Sequence, residues 1–199
     1  LLEPEAAPGL LPFVKQYGLE LSADVVIETN PLGRLIGGDY LMPVVMAYDQ
    51  HPITRELGNL MTIFPLVRSV QVAEQLPAGV VAQTLASTSP DSWAETDLAT
   101  LKEGRSAFDD KTDRKGPISI AAVATIAMPH PAAESTAAGT KASQEDTTTP
   151  PEANRPARLV VFGDAEFANN NFFASPGNGN LFLNTVSWLA EEDDLLAIR

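Results

Sequence analysis

The sequence predicts an α/β domain: a layered, mixed sheet flanked by helices. Three observations predict it. Apolar runs that do not alternate with polar residues, such as 118–128 and 159–162, read as strands buried on both faces. Two segments, 10–17 and 178–190, place apolar residues at helical spacing instead. Strands punctuated by a few helices then favour layers over a barrel or a bundle. The chain has 199 residues, 44% of them hydrophobic, which is enough for one domain with its own core.

In chain order, Leu10, Leu11, Phe13, Val14 and Tyr17 form an amphipathic helix closed by Gly18. Residues 19–29 read as a strand. The segments 30–33 and 37–39 are turn-rich. Residues 43–48 form another strand, and 49–57 read as the start of a helix, with Asp49 or His51 as cap and Pro52 in the first turn. Strands follow at 61–67, interrupted by Pro65, then at 68–72 and at 80–85. Residues 86–92 are a loop, and 95–115 are polar surface with a short helix near 96–101. Gly116-Pro117 leads into the buried strand 118–128.

Composition shifts at Pro129. Residues 129–157 contain no aromatic, Leu, Ile or Val, so they cannot offset their own ordering entropy and read as a flexible insertion or linker. This divides the chain into a main region (1–128), the insertion (129–157) and a C-terminal strand-loop-helix (158–199) that completes the same domain. In the helix 178–190, Leu181, Leu183 or Asn184, Thr185, Trp188 and Leu189 recur, with Asn178 or Asn180 as N-cap. The acids 191–194 sit at the unfavourable end of its dipole and should be exposed, with the helix frayed there.

Thirteen Lys and Arg against 26 Asp and Glu give a formal net charge of -13. Such a surface disfavours nucleic acid and anionic membranes. The absence of cysteine excludes thiol nucleophiles, Cys-ligated zinc, iron–sulfur clusters and disulfides. Only His51 and His130 remain as imidazoles, which excludes a His-rich metal site. No cofactor motif is present, and no apolar run approaches the length of a membrane span. The chain opens on Leu1 without a signal peptide and ends on apolar residues, so it reads as a piece of a longer protein.

Asp164 is the leading candidate for a site. It follows a buried strand and Gly163, a position where open α/β sheets bind ligands. With Glu166, Asn169 and Asn170 it could hold a hard cation or hydroxyl groups; equally, it could brace a turn. Ser89 or Ser92 could join His51 or His130 and Asp164 as a triad, but no Gly-x-Ser-x-Gly elbow exists, and a serine turn with Trp93 packed on the sheet edge is the plainer reading. Arg68 could bind an anion or pair with an acid of this chain. The expected ligand-binding set is Asp164, Glu166, Asn169, Asn170, Arg68 and Ser89, with no catalytic residue and no metal site.

The stretch 158–169, Arg-Leu-Val-Val-Phe-Gly-Asp-Ala-Glu-Phe-Ala-Asn, resembles the auxiliary domain of an uncharacterised ABC-type transport system. Residues 181–191 and 195–199 continue the likeness. So do, in order, Gly18-Leu19, Asp24-Val25-Val26, His51-Pro52-Ile53-Thr54, Phe64-Pro65, Arg68-Ser69, Thr88-Ser89 with Trp93, and Gly116-Pro117. This group includes the gliding-motility auxiliary components of bacteria. The resemblance implies a non-enzymatic, extracytoplasmic domain of glutamine-amidotransferase-like (Rossmann-like) fold, of which this chain holds the later part. It implies membrane helices before and after the chain, with ABC permease and ATPase subunits as partners and an unknown cargo. The alternatives are a small-molecule or sugar-binding module at the Asp164 loop and a hydrolase using Ser89 or Asp164.

Overall fold

The computed structural model describes residues 8–35, 37–127, 155–175 and 177–191. Its elements, in order, are α1 (Leu10–Lys15), β1 (Leu19–Leu21), β2 (Val25–Glu28), α2 (Pro31–Leu35), β3 (Val44–Val45), β4 (Ala47–Tyr48), β5 (Thr62–Ile63), β6 (Val70–Val72), β7 (Val80–Ser87), β8 (Ser92–Glu95), α3 (Leu98–Lys102), β9 (Arg114–Lys115), β10 (Ser119–Ile126), β11 (Ala157–Phe162) and α4 (Asn178–Leu189). A 3-10 turn, Glu166–Ala168, lies between β11 and α4.

The largest sheet has the order β11-β10-β7-β4; smaller sheets are β2-β8-β9, β1-β6 and β3-β5. The α/β class stands, but every described strand pair is antiparallel, so the expected mixed sheet is corrected. The reason lies in β10. Its apolar run reflects burial on both faces, which a parallel sheet produces but does not monopolise. Ala121 and Val123 face a core of Val26, Phe64, Leu85, Phe167, Leu181 and Trp188. Ala122 and Ala124 face a second core of Val14, Leu19, Val70 and Val161. A register shift against β7 on each side of Ala121 breaks the period of two there and lets Ile120 share the first core with Ala121.

Several elements differ from expectation for local reasons. Residues 49–57 form successive turns instead of a helix: Thr54 N–H bonds the His51 carbonyl, Leu57 N–H that of Thr54, and Gly58 follows with φ +54°. The turn expected at 30–33 continues into α2, where Asn30 Oδ1 accepts from Leu32 N–H at 3.0 Å and Pro31 starts the helix without losing a bond. Pro65 and the left-handed Leu66 (φ 54°) cut the strand expected at 61–67 to two residues. The loop expected at 86–92 loses its start to β7, and β8 begins at its end. Asp97 caps α3 with both carboxylate oxygens on Thr100, at 3.0 and 2.6 Å, which holds its carboxyl below the usual range. Ala157 belongs to β11 rather than to the insertion. Residues 128–154, with His130, lie outside the described residues, as do 192–194 of the acidic run. Glu191 is half-buried and paired with Arg155 at 3.1 Å instead of exposed.

α4 departs most from expectation. Its N-cap is Gly177 rather than an asparagine side chain. Asn178 is fully buried, and its amide is used elsewhere. Phe64 N–H bonds Pro43, so the alternating Ile63 turns its N–H and C=O away from β3. Asn178 meets both: Oδ1 accepts from Ile63 N–H at 2.8 Å, and Nδ2 donates to the Ile63 carbonyl at 3.0 Å. Nδ2 also donates to the Phe167 carbonyl at 2.9 Å. The side chain thus stands where the next strand of a sheet would be.

Two predictions follow from the packing. A Cβ on Gly163 would lie 1.9 Å from the Arg68 carbonyl oxygen, because the chain at Arg68 crosses Gly163 backbone to backbone, with Arg68 N–H donating to the Gly163 carbonyl at 3.0 Å. Gly163→Ala should cost about 4 kcal/mol or more in urea unfolding, because backbone must shift to admit the methyl group. A loss under about 1 kcal/mol would show that the crossing yields easily.

Tyr48 Oη sits 2.9 Å from Thr62 Oγ1 and from the Val45 and Leu60 carbonyls. Burial pushes its phenol from 10.0 up to about 12, against hydrogen bonds from Thr62 that pull it down. The folded state therefore keeps the proton longer than the unfolded chain. This contribution to stability is complete below pH 10 and is lost as pH rises from 10 towards 12. Denaturant titrations across that window should show a steeper loss for the native protein than for Tyr48→Phe, and equal slopes would refute the assignment.

Candidate functional site

β2 is buried along its length and ends by delivering Glu28 to a cleft. The Glu28 carboxylate is only 4% exposed. A buried carboxylate requires hydrogen-bond donors, and three reach it. Oε1 accepts from Ser89 Oγ at 2.8 Å and from Asn30 N–H at 2.9 Å. Oε2 accepts from Ser89 N–H at 3.1 Å. Ser89 Oγ in turn accepts from Asp91 N–H at 3.1 Å. The Thr88–Ser92 hydroxyl pair, at 2.7 Å, and the bond from Ser92 Oγ to the Ser89 carbonyl, at 2.8 Å, close this turn. Thr88 Oγ1 also accepts from Ile118 N–H at 2.9 Å. Gly116 admits the approach, since a Cβ there would meet Ser92 Oγ at 2.3 Å and the Ser89 carbonyl at 2.6 Å. Gly116 and the Thr88-Ser89 pair, far apart in sequence, are thus parts of one knot.

The cleft above it holds about 330 Å³ and is lined by Glu28, Asn30 and Ser89 on its polar side and by Leu32, Val44 and Met46 on its apolar side. This is the small end of the range for small-molecule sites. Among the sequence-predicted residues only Ser89 lines it. Sequence reasoning missed Glu28, whose signal was a lone acid at the end of an apolar strand. Its partner, Ser89, lies 61 residues away.

The other predicted residues cluster apart from the cleft. Asp164 is 3% exposed, and its oxygens accept from Glu166 N–H at 2.6 Å and Phe167 N–H at 3.1 Å. It braces the start of the 3-10 turn. The switch-point argument for a ligand at this strand end does not apply, because β11 runs antiparallel to β10. Glu166 and Asn170 are exposed. Asn169 Oδ1 accepts from Asn171 N–H at 2.8 Å and Phe172 N–H at 3.2 Å, bracing the next turn. Arg68 is buried, and its Nε donates to the Ser22 carbonyl at 2.8 Å.

His51 does not line the cleft. Its Nδ1 accepts from Ile53 N–H at 3.2 Å, and its ring packs edge-on to Trp188 at 4.9 Å. The described residues therefore do not bring Ser89, His51 and Asp164 together as a triad. Among them, no group of three or more His, Asp or Glu could hold a metal ion. Also among them, no helix is long and apolar enough to cross a membrane.

The arrangement around Glu28 can hold a loop and shape a cleft. Ser89 Oγ donates to Glu28 and accepts from Asp91 N–H, so its one hydroxyl proton is engaged inside the turn.

The fold is similar to the solved mmIFT52 N-terminal domain, at 13% identity and a TM-score of 0.52. The match covers 90% of this chain, which spans 56% of the length of that one. No curated protein matches the chain in sequence. The family described as "ABC-type uncharacterized transport system" matches residues 2–191, almost the whole of the sequence. The chain belongs to this family of auxiliary components of ABC-type transport systems.

Proposed function

We propose that the chain is a non-enzymatic binding module of an ABC-type transport system, working outside the cytoplasm and docking onto the permease and ATPase assembly or its cargo. The observation that carries this reading is the state of Ser89. The hydroxyl offered for nucleophilic chemistry is bonded between the Glu28 carboxylate and the Asp91 amide, and His51, the imidazole that would activate it, does not line its cleft. Asp164, the other candidate, is spent on two backbone amides. In this reading the anchor is a membrane helix before the chain and another after it, as the resemblance to the gliding-motility components implies. In fold, we take the chain as the later part of an amidotransferase-like, Rossmann-like domain. β10, covered on both faces, fits a layered α/β domain of that kind, while its neighbours β7 and β11 run antiparallel to it.

A second reading has an observation of its own. The cleft at Glu28 and Ser89 has a polar floor and an apolar wall, as a small-molecule or sugar site would. Met46 lines it and is half exposed. Under this reading, a ligand that raises the melting temperature should lose its effect in Met46→Trp, which fills the mouth. A shift that survives that substitution places the ligand elsewhere.

Two measurements test the main reading. Full-length protein in cells with a permeabilised outer membrane should be digested by added protease while cytoplasmic markers survive; protection equal to the markers would contradict it. Ser89→Ala should lower stability by about 1–3 kcal/mol, because Glu28 loses a donor, and should leave esterase and glycosidase assays at background for both proteins. Turnover by the native chain that disappears in Ser89→Ala would make the protein a hydrolase.

A further inference from the structure

α4 is amphipathic in the reverse sense. A surface helix normally buries its apolar stripe and shows polar residues to water. Here the buried face carries Asn184, Thr185 and Ser187 beside Leu181 and Trp188. Asn184 Nδ2 donates to the Ile53 carbonyl at 3.0 Å, and Thr185 Oγ1 to the Leu181 carbonyl at 2.8 Å. The outward face from 181 to 189 carries apolar side chains alone: Phe182 (37% exposed), Leu183, Val186 (46%) and Leu189 (43%). Phe182, Val186 and Leu189 follow i, i+4, i+7 spacing and form one ridge. Phe173, also exposed, extends the ridge through an edge-on contact with Phe182 at 6.1 Å.

We propose that this ridge is the docking surface for an amphipathic helix of another polypeptide, apolar on the face that meets the ridge and basic on the other. The proposal rests on the docking role given above and locates it. Two arguments select this occupant. The first is area. Five side chains so exposed present a few hundred Å² of apolar surface, on the order of half the roughly 800 Å² per partner that a stable dimer buries. A single helix lying in register fits that size, as in other helix recognition read at i, i+3, i+4 and i+7.

The second argument is charge. At the negative end of the helix dipole Glu191 is held by Arg155 at 3.1 Å, so the attraction comes from the acidic surface as a whole. The chain carries a net charge of -13. Two copies would bring like charge together, and an anionic bilayer would be repelled, whereas a basic helix is attracted.

The test uses the full chain and a synthetic 18-residue peptide with Leu on one helical face and Lys on the other, read by fluorescence anisotropy. The control peptide has Glu in place of Lys. We expect the Lys peptide to bind, and to bind at least tenfold more weakly to Val186→Glu/Leu189→Glu. That variant adds negative charge, so attraction by charge alone would move the affinity the other way. Because both positions are exposed, melting temperature should stay within a few degrees. Should that double variant fold poorly, Leu183→Gln/Val186→Gln gives the same readout.

Equal binding by native and variant chains would overturn the proposal. So would equal binding of the Lys and Glu peptides, a dimer in sedimentation that the double variant abolishes, or ridge-dependent binding to phosphatidylglycerol vesicles. Chemical cross-linking in cells separates this surface from the wider docking role. Native cross-links to transporter subunits that persist in the variant leave the role standing and reject the ridge. No native cross-links, with ridge-dependent peptide binding, reject the transporter role alone.

Discussion

The side-chain amide of Asn178 fixes the C-terminal part of this molecule. It satisfies both backbone groups of Ile63 and the carbonyl of Phe167, in a site closed to water. Each of those groups would cost about 1–3 kcal/mol if left unpaired. α4 is therefore held by polar bonds at its start and again at Asn184, with Leu181 packed between them and Trp188 packed one turn beyond. Polar anchoring of this kind frees the helix from having to bury every apolar residue it carries. What it leaves outside is the ridge of Phe182, Val186 and Leu189.

The Glu28 knot applies the same device beside the cleft. A buried carboxylate gathers the Ser89 turn and Asn30, and the hydroxyls of Thr88 and Ser92 tie that turn to β10 through Ile118. In both places, polar side chains replace sheet or helix hydrogen bonds where short elements end. The chain has many such ends, since β3, β4, β5 and β9 are two residues each. Backbone groups left over by short strands require side-chain partners. Buried polar residues such as Asn178, Asp164 and Glu28 meet that requirement.

The legible parts of the sequence were those set by local pattern. Gly18 closes α1, with φ +72°, and the apolar run of β10 marks a strand buried on both faces. Thr88, Ser89 and Ser92 were legible as a turn, and Asp164 as a turn brace. What escaped depends on partners distant in sequence. β8 is a strand because it pairs with β2, and four residues between polar neighbours carry no period of their own. Strand direction was misread because two-faced burial leaves no mark of whether neighbours run parallel. Asn178 read as a cap because its real partner, Ile63, lies 115 residues away.

The central claim is that α4 turns an apolar ridge outward to receive a partner, while the cleft at Glu28 serves the fold. A photo-activatable residue placed at position 186 of the full-length protein, and separately at 46 in the cleft wall, tests it most directly in cells. The account predicts an adduct with a transporter subunit from 186 and none from 46. Adducts from 46 with none from 186 would contradict it.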